Sequence, residues 1–231
     1  MVAVSGGVAR ELADAYPALR GSIQVIPNGV DSSAYRPDPA AGRRVRRRFS
    51  LDDDAPVAVF VGGEWQRKGL RFAIEALANA PDWHLLVVGE GDVEHFRGLA
   101  TRHATQDRVH FAGRQTNTVP FYSAASAFVF PTVYEAAPLV AYEAAAMGLP
   151  LLATRVSGIE DLLEEGVNGW FVERDAESIA RRLGDLQRDP EQRRRMAAAA
   201  RESALAYDWE RVIDMYVEAY DDLSSHARRD S

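Results

Sequence analysis

The 231-residue sequence contains no cysteine. That excludes disulfides and thiolate metal ligands, and it fits a reducing cytoplasm. No apolar run approaches the ~20 residues of a membrane-spanning helix, and peripheral contact with the inner face of a membrane stays open. The first twenty residues carry Arg10, Glu11, Asp14 and Arg20, so they do not form a secretory signal. Basic residues number 27 and acidic residues 34, a net charge of −7. The chain thus lacks the positive field that general nucleic-acid binding needs, and no nucleic-acid partner is expected. The five histidines are scattered with no His-x-x-x-His pair, and each reads as surface or core rather than ligand. Asp52-Asp53-Asp54 contains an Asp-x-Asp, but it precedes a strand. It therefore falls at the amino end of a sheet, whereas α/β ligand crevices open at the carboxyl ends. No metal site is expected. No internal repeat and no Ser-His-Asp set can be argued from the sequence.

What is present is an alternation. Apolar strands at 57–61, 84–88, 109–111, 127–130, 151–154 and 170–172 alternate with helical patterns near 70–80, 93–104, 119–124, 139–147 and 176–187. Such a pattern predicts an α/β fold, a Rossmann-like parallel sheet with helices on both faces. Ahead of it come a strand at 2–5, a helix at 6–16 and a strand at 23–26 that ends in the turn Pro27-Asn28-Gly29-Val30-Asp31. A Pro/Ala/Gly connector spans 37–42, and the run RRVRRRF at 43–49 is a basic helix. That helix reads either as a patch for an anionic surface or as a solvated face beside the acids 52–54, and the second reading is adopted. Helices at 190–206 and 209–223 form a helical C-terminal extension, with 224–231 as a frayed tail.

The chain is organised around residues 128–154, FVFPTVYEAAPLVAYEAAAMGLPLLAT. Glu135 and Glu143 are the only charged residues between Arg114 and Arg155. An unpaired buried carboxylate costs several kcal/mol, so two acids in so apolar a run point to a cleft or a partner. Pro131 breaks the first strand, Pro138 stands where a helix begins, and Gly148 with Pro150 ends that helix. Glu135 then lies on the loop before the helix. Glu143 lies about five residues in, roughly 7.5 Å along the axis. The unpaired amides of Ala137, Leu139 and Val140, around Pro138, lie between them. A helix start offers N–H groups and positive dipole to a phosphate, and a carboxylate on each side can accept hydroxyls of a sugar. The competing reading is two helix-terminal acids that satisfy amides or pair with arginines. A glycosidase acid pair suits the position around a helix start less well.

The segment YEAAPLVAYEAAAMGLPLLAT resembles the Glu-x7-Glu signature of family 4 retaining glycosyltransferases, which have the GT-B fold. The resemblance implies that Glu135 contacts the transferred sugar, that Glu143 contacts the ribose of the nucleotide, and that amides at the helix start hold the diphosphate. Ala136 and Ala137 stand where the family usually has Gly and a larger apolar residue. VSGGVAREL and IQVIPNGVDSSAYRP are similar to the family's passage from the first domain to the second. The resemblance runs from residue 2 to about 221 and covers the second half of such an enzyme. Residues 1–36 are accordingly expected to be a remnant of the N-terminal domain and the interdomain segment. Residues 37–206 would be the nucleotide-sugar-binding domain, and 207–231 the crossover helix and tail.

Gly62-Gly63-Glu64-Trp65-Gln66-Arg67-Lys68-Gly69 follows the strand at 57–61. Its glycines permit close backbone approach, and its bland reading is a tight turn with a surface lysine. It resembles the family loop Gly-Arg-x-x-x-x-Lys-Gly, whose cations grip the diphosphate. Lys68 matches, Gly63 occupies the Arg position, and Arg67 is the substitute cation. Val88-Gly89-Glu90-Gly91-Asp92 reads first as a structural turn. Phe111-Ala112-Gly113-Arg114-Gln115 resembles the segment that meets the nucleotide base, which brings Arg114 and Gln115 into the expected site. Arg155-Val156-Ser157-Gly158-Ile159-Glu160 is similar to the family's Gly-Gly-x-x-Glu loop, although Glu160 can equally cap the next helix.

The expectation is therefore the donor-binding half of a retaining glycosyltransferase, with Lys68 and Glu135 catalytic. Its substrates would be a nucleotide sugar and a glycan, lipid or small-molecule acceptor, with no cofactor. Alternatives are a non-catalytic nucleotide-sugar-binding module or one subunit of a split enzyme, and less well a phosphorylase or an epimerase. On this reading the chain binds donor but transfers sugar poorly alone. It would self-associate or use a separate N-terminal-domain chain, since the last helix presents Val212, Tyr216, Tyr220 and Leu223 on one face.

Overall fold

The structure, a computed structural model, describes residues 1–229. A short parallel pair, β1 (Val2–Ala3) and β2 (Gln24–Val25), brackets helix α1 (Gly6–Ala15). Helix α2 (Pro39–Arg48) leads into β3 (Val57–Val61). There follow α3 (Leu70–Ala76), β4 (His84–Val88), α4 (Val93–Arg102), β5 (Val109–Gly113), α5 (Val119–Ala124) and β6 (Ala127–Phe130). Then come α6 (Leu139–Ala146), β7 (Leu151–Ala153), α7 (Ile159–Leu162) and β8 (Gly169–Phe171). Helices α8 (Ala176–Arg188), α9 (Pro190–Leu205) and α10 (Trp209–Arg229) come last.

The six strands β3 to β8 form one parallel sheet in the order β5-β4-β3-β6-β7-β8. Every residue of β3 and β6 is buried, as expected of strands covered on both faces and built from runs such as VAVFV rather than alternating residues. The order matters more than the strand count. From β3 the chain first moves outward through β4 and β5, then returns to lay β6 on the other side of β3. The loops after β3 and β6 therefore leave neighbouring strands in opposite directions. A crevice opens between them at the carboxyl ends, the topological switch point of a doubly wound sheet.

Several elements differ from the sequence expectation. Helix α2 begins at Pro39, inside the presumed connector, because Asp38 caps it by accepting from Ala41 N at 2.9 Å. Gly42 suits that helix because a Cβ there would come within 2.4 Å of the Ser123 carbonyl. Ser5 leaves the first strand to cap α1, accepting from Val8 N at 3.2 Å. Helix α3 stops at Ala76 and tightens into a 3₁₀ turn, Leu77–Asn79. The Arg108 guanidinium then takes the carbonyls of Leu77, Ala80 and Trp83. Arg46 donates to the carbonyls of Asp52 and Ala55, whereas Arg43, Arg44, Arg47 and Arg48 are exposed.

Helix α10 continues past 223 to Arg229, so most of the expected frayed tail is helical. Residues 230–231, the rest of that tail, and the Leu223 side chain lie outside the described residues. The apolar face of α10 is also rotated from the expected one. Val212 is buried, and the exposed stripe is Trp209, Ile213, Val217 and Tyr220. Among the described residues no helix is long and apolar enough to cross a membrane.

Candidate active site at the carboxyl ends of β3 and β6

The turn after β3 is built around one aromatic ring. Trp65 is buried, donates its indole N–H to Gly62 O at 2.8 Å and packs edge-on against Phe96. A Cβ on Gly91 would lie 2.4 Å from that indole, and one on Gly89 would lie 2.1 Å from Gly62 O. The Gly-x-Gly after β4 is thus explained by close packing against the neighbouring turn. Gly62 has φ of 144°, and its missing side chain is space that the Lys68 stem occupies.

Lys68 stands just ahead of α3, whose first residue is Leu70. It precedes Gly69, which adopts φ of 75° as the N-cap of α3, and a Cβ there would meet Pro131 O at 2.2 Å. That close approach locks the β3 turn against the β6 turn. Lys68 Nζ consequently reaches Glu135 Oε1 at 3.0 Å and sits 4.8 Å from the centre of the Phe130 ring. The two side chains are 13% and 12% exposed. Glu135 Oε1 also receives the Thr132 hydroxyl at 3.1 Å and Arg67 Nη1 at 3.2 Å. Arg67 further donates to the Tyr134 carbonyl and pairs with Glu64 at 2.8 Å. This substitute cation is therefore already held by two acids.

Arg174, in the loop after β8, carries no motif that would single it out in the sequence. Its guanidinium nevertheless donates to Pro131 O at 3.2 Å, Gln66 O at 3.0 Å and Arg67 O at 3.1 Å. One side chain thereby ties the turn carrying Lys68 to the turn leading to Glu135.

On the helix side, Pro138 is the N-cap of α6, and the first intrahelical bond is Ala141 N to Pro138 O at 3.0 Å. The amides of Leu139 and Val140 precede it and remain orphans of the helix start. The Gly158 loop backs this point, since a Cβ on Gly158 would lie 2.7 Å from Ala137 Cα. Glu143, one turn further, accepts from the Tyr122 hydroxyl at 2.9 Å. Burial raises the Glu143 carboxyl above its usual range, and hydrogen bonding to Tyr122 and Tyr35 partly offsets that. Burial and the Glu143 charge together push the Tyr122 phenol well up.

Gly63, Arg67, Lys68, Glu135, Ala137, Pro138, Leu139, Val140 and Glu143 thus surround the switch point. Arg114 and Gln115 follow β5, two strands from β3 and so roughly 10 Å to one side. Arg114 is exposed, and the Gln115 amide donates to Ala112 O at 2.7 Å. Nothing crowds Gly63, where a Cβ would find only Glu90 O at 3.7 Å. Glu160 pairs with Arg10 of α1 at 2.8 Å and lines a concavity shared with Tyr134 and Ser157. At the opposite end of the sheet, two of the histidines judged scattered are stacked. His84 Nδ1 and His110 Nε2 are 3.1 Å apart. Among the described residues no group of three or more His, Asp or Glu is placed to hold a metal ion.

A deeply buried parallel sheet, a lysine–carboxylate pair and an open helix start at its switch point define a doubly wound α/β domain. Residues 43–203 match the family described as Glycosyl transferases group 1, and the chain belongs to that family. A D-inositol 3-phosphate glycosyltransferase of Acidothermus cellulolyticus is 32% identical over 95% of this chain and 52% of its own length. The lipopolysaccharide core biosynthesis glycosyltransferase LpsE of Rhizobium meliloti is 33% identical over 75% of this chain and 52% of its own. A solved sucrose-phosphate synthase from Thermosynechococcus elongatus superposes with a TM-score of 0.86 at 27% identity, covering 97% of this chain and 58% of that one. The fold is the C-terminal domain of a GT-B glycosyltransferase. The chain spans about half the length of the curated relatives it matches.

Proposed function

We propose that this chain is the donor-binding half of a retaining, family 4 glycosyltransferase, which moves a sugar from a nucleotide sugar to an acceptor. The observation that carries this reading is the Lys68–Glu135 pair, 3.0 Å apart, beside the open start of α6. The diphosphate takes the amides of Leu139 and Val140 and competes with Glu135 for Lys68. Charge that develops on the departing diphosphate is met by that ammonium, by the helix start and by Arg67. Glu135, released in part from Lys68, orients the transferred sugar, and Glu143 takes the ribose. Arg114 and Gln115 border the base.

An acceptor-binding domain completes the cleft, and the exposed stripe of α10 offers an apolar surface for it. Acceptors that fit the reading are a glycan, a lipid or a small molecule, met in the cytoplasm or at the inner face of a membrane. The relatives' names, an inositol phosphate glycosyltransferase and a lipopolysaccharide one, are in keeping with that range. The charge of the diphosphate is balanced by protein groups, so no divalent ion is required.

The test is a calorimetric screen of nucleotide sugars, with and without chelator. The expected result is one preferred donor whose binding survives chelation. Failure of every nucleotide sugar to bind would overturn the proposal. Loss of binding on chelation, restored by Mn²⁺ or Mg²⁺, would overturn the metal-free version.

A further inference from the structure

We infer that Tyr122, with Tyr35 beside it, is a positioning residue that fixes the Glu143 carboxylate for the sugar hydroxyls of a bound nucleotide. This rests on the proposed role of Glu143 at the ribose. Tyr122 is fully buried on α5, among rings that include Phe128. A phenol there must find a hydrogen-bond partner or bear an uncompensated desolvation cost. Phenylalanine would fill the same space without that demand. The partners Tyr122 finds both belong to the beginning of α6: Glu143 Oε2 at 2.9 Å and Val140 O at 3.2 Å.

A phenol has one proton. With Glu143 ionised, the proton goes to the carboxylate. With Glu143 protonated, the carboxyl can donate to the phenol oxygen and the phenol to Val140 O. Either arrangement keeps Glu143 in one rotamer, aligned with the helix start that carries the orphan amides. The Tyr35 side chain hydrogen-bonds the same carboxylate, and a carboxylate that accepts from two phenols still has lone pairs for the hydroxyls of a ligand.

Tyr35 braces this from the interdomain segment. Its ring meets Tyr122 edge-on with centroids 6.3 Å apart. Arg201 of α9 holds both the Tyr35 carbonyl and the Ala146 carbonyl at the far end of α6. The segment before α2, α5 and α9 therefore converge on one helix and set the direction of its acid. A carboxylate fixed before the ligand arrives loses less side-chain entropy on binding than a free one.

The test compares Tyr122→Phe, Tyr35→Phe and Glu143→Gln by calorimetry. Uridine, guanosine and adenosine diphosphates are titrated first. The tightest is then compared with its 2′,3′-dideoxy analogue, with unfolding temperatures measured in parallel. If the phenol acts through Glu143, Tyr122→Phe weakens the ribonucleotide about tenfold, the value of one good hydrogen bond. The dideoxy analogue is barely affected. Glu143→Gln shows the same selectivity, and Tyr35→Phe a smaller version of it. A merely structural role would weaken both ligands alike, and that result overturns the inference. So does an unchanged ribonucleotide affinity in Tyr122→Phe. Should Tyr122→Phe fail to fold, the half-buried Tyr35→Phe decides by the same comparison. If the wild-type chain binds none of the three diphosphates, the proposed function falls and this inference with it. If Glu143→Gln is selective while the tyrosine variants are inert, only this inference falls.

Discussion

Lys68 and Glu135 lie 67 positions apart in the chain, on turns that leave adjacent strands, and their side chains meet at 3.0 Å. Three donors converge on the same Glu135 oxygen, from Lys68, Arg67 and Thr132. The pair is therefore held in place before any ligand arrives, and an incoming anion competes for cations that are already paired.

Lys68 is the only lysine in the sequence. Lys68→Ala is expected to weaken nucleoside diphosphate binding by roughly 1.5–3 kcal/mol, the range for a charged hydrogen bond. The unfolding temperature should change little, because Thr132 and Arg67 still serve Glu135. An amine-acylating reagent should modify only this side chain and the N-terminus, and a bound donor should protect Lys68. Peptide mass spectrometry with and without donor reads this directly.

The two acids should separate by ligand. Glu143→Ala is expected to cost the bare nucleoside diphosphate about 1–3 kcal/mol. Glu135→Ala frees Lys68 and should leave the bare nucleotide bound as well as before, while affinity for the complete nucleotide sugar falls. Calorimetry of both ligands on both variants measures the split. Equal losses throughout would refute the division of roles.

Arg174 is expected to behave as a brace for the site. Arg174→Lys keeps the charge but cannot reach three carbonyls on two turns with one ammonium. Both Arg174→Ala and Arg174→Lys should therefore weaken donor binding about tenfold, the value of roughly one hydrogen bond, and lower the unfolding temperature. If Arg174→Lys matched the wild type in a titration, charge alone would be its contribution.

The His84–His110 pair predicts an acid-sensitive fold. Burial, and secondarily the neighbouring His84, lowers His110 to about 4, and burial also lowers His84. The unfolded chain takes up a proton near the ordinary value of about 6.5, so the folded state binds fewer protons between those limits. Stability from this pair is complete above about 6.5 and declines as the pH falls toward 4. Glu143, raised by burial, acts in the opposite sense, since protonation relieves the folded state. Unfolding temperatures from pH 7.5 to 4.5, wild type against His110→Gln, isolate the histidine. The variant should show the flatter profile.

The strand and helix alternation was legible in the sequence because the central strands, β3, β6 and β7, are short, wholly apolar runs with a Gly or Pro at one or both ends. The period of hydrophobicity is a local property. So are the caps and breaks around α6 and the isolation of Glu135 and Glu143 in an apolar stretch. What could not be read locally was anything created by strand order. The laying of β6 against β3 brings Lys68 to Glu135. The same layout gives Tyr122 a carboxylate to hold, Arg174 three carbonyls from two turns, and His84 a histidine across the sheet. Pairwise spacing along the chain carries no trace of these contacts, because side chains from distant segments meet only once the sheet has formed. The rotated face of α10 has the same origin. Several residues of that helix are apolar, and the packing of Val212 against the rest of the domain decided which of them stayed outside.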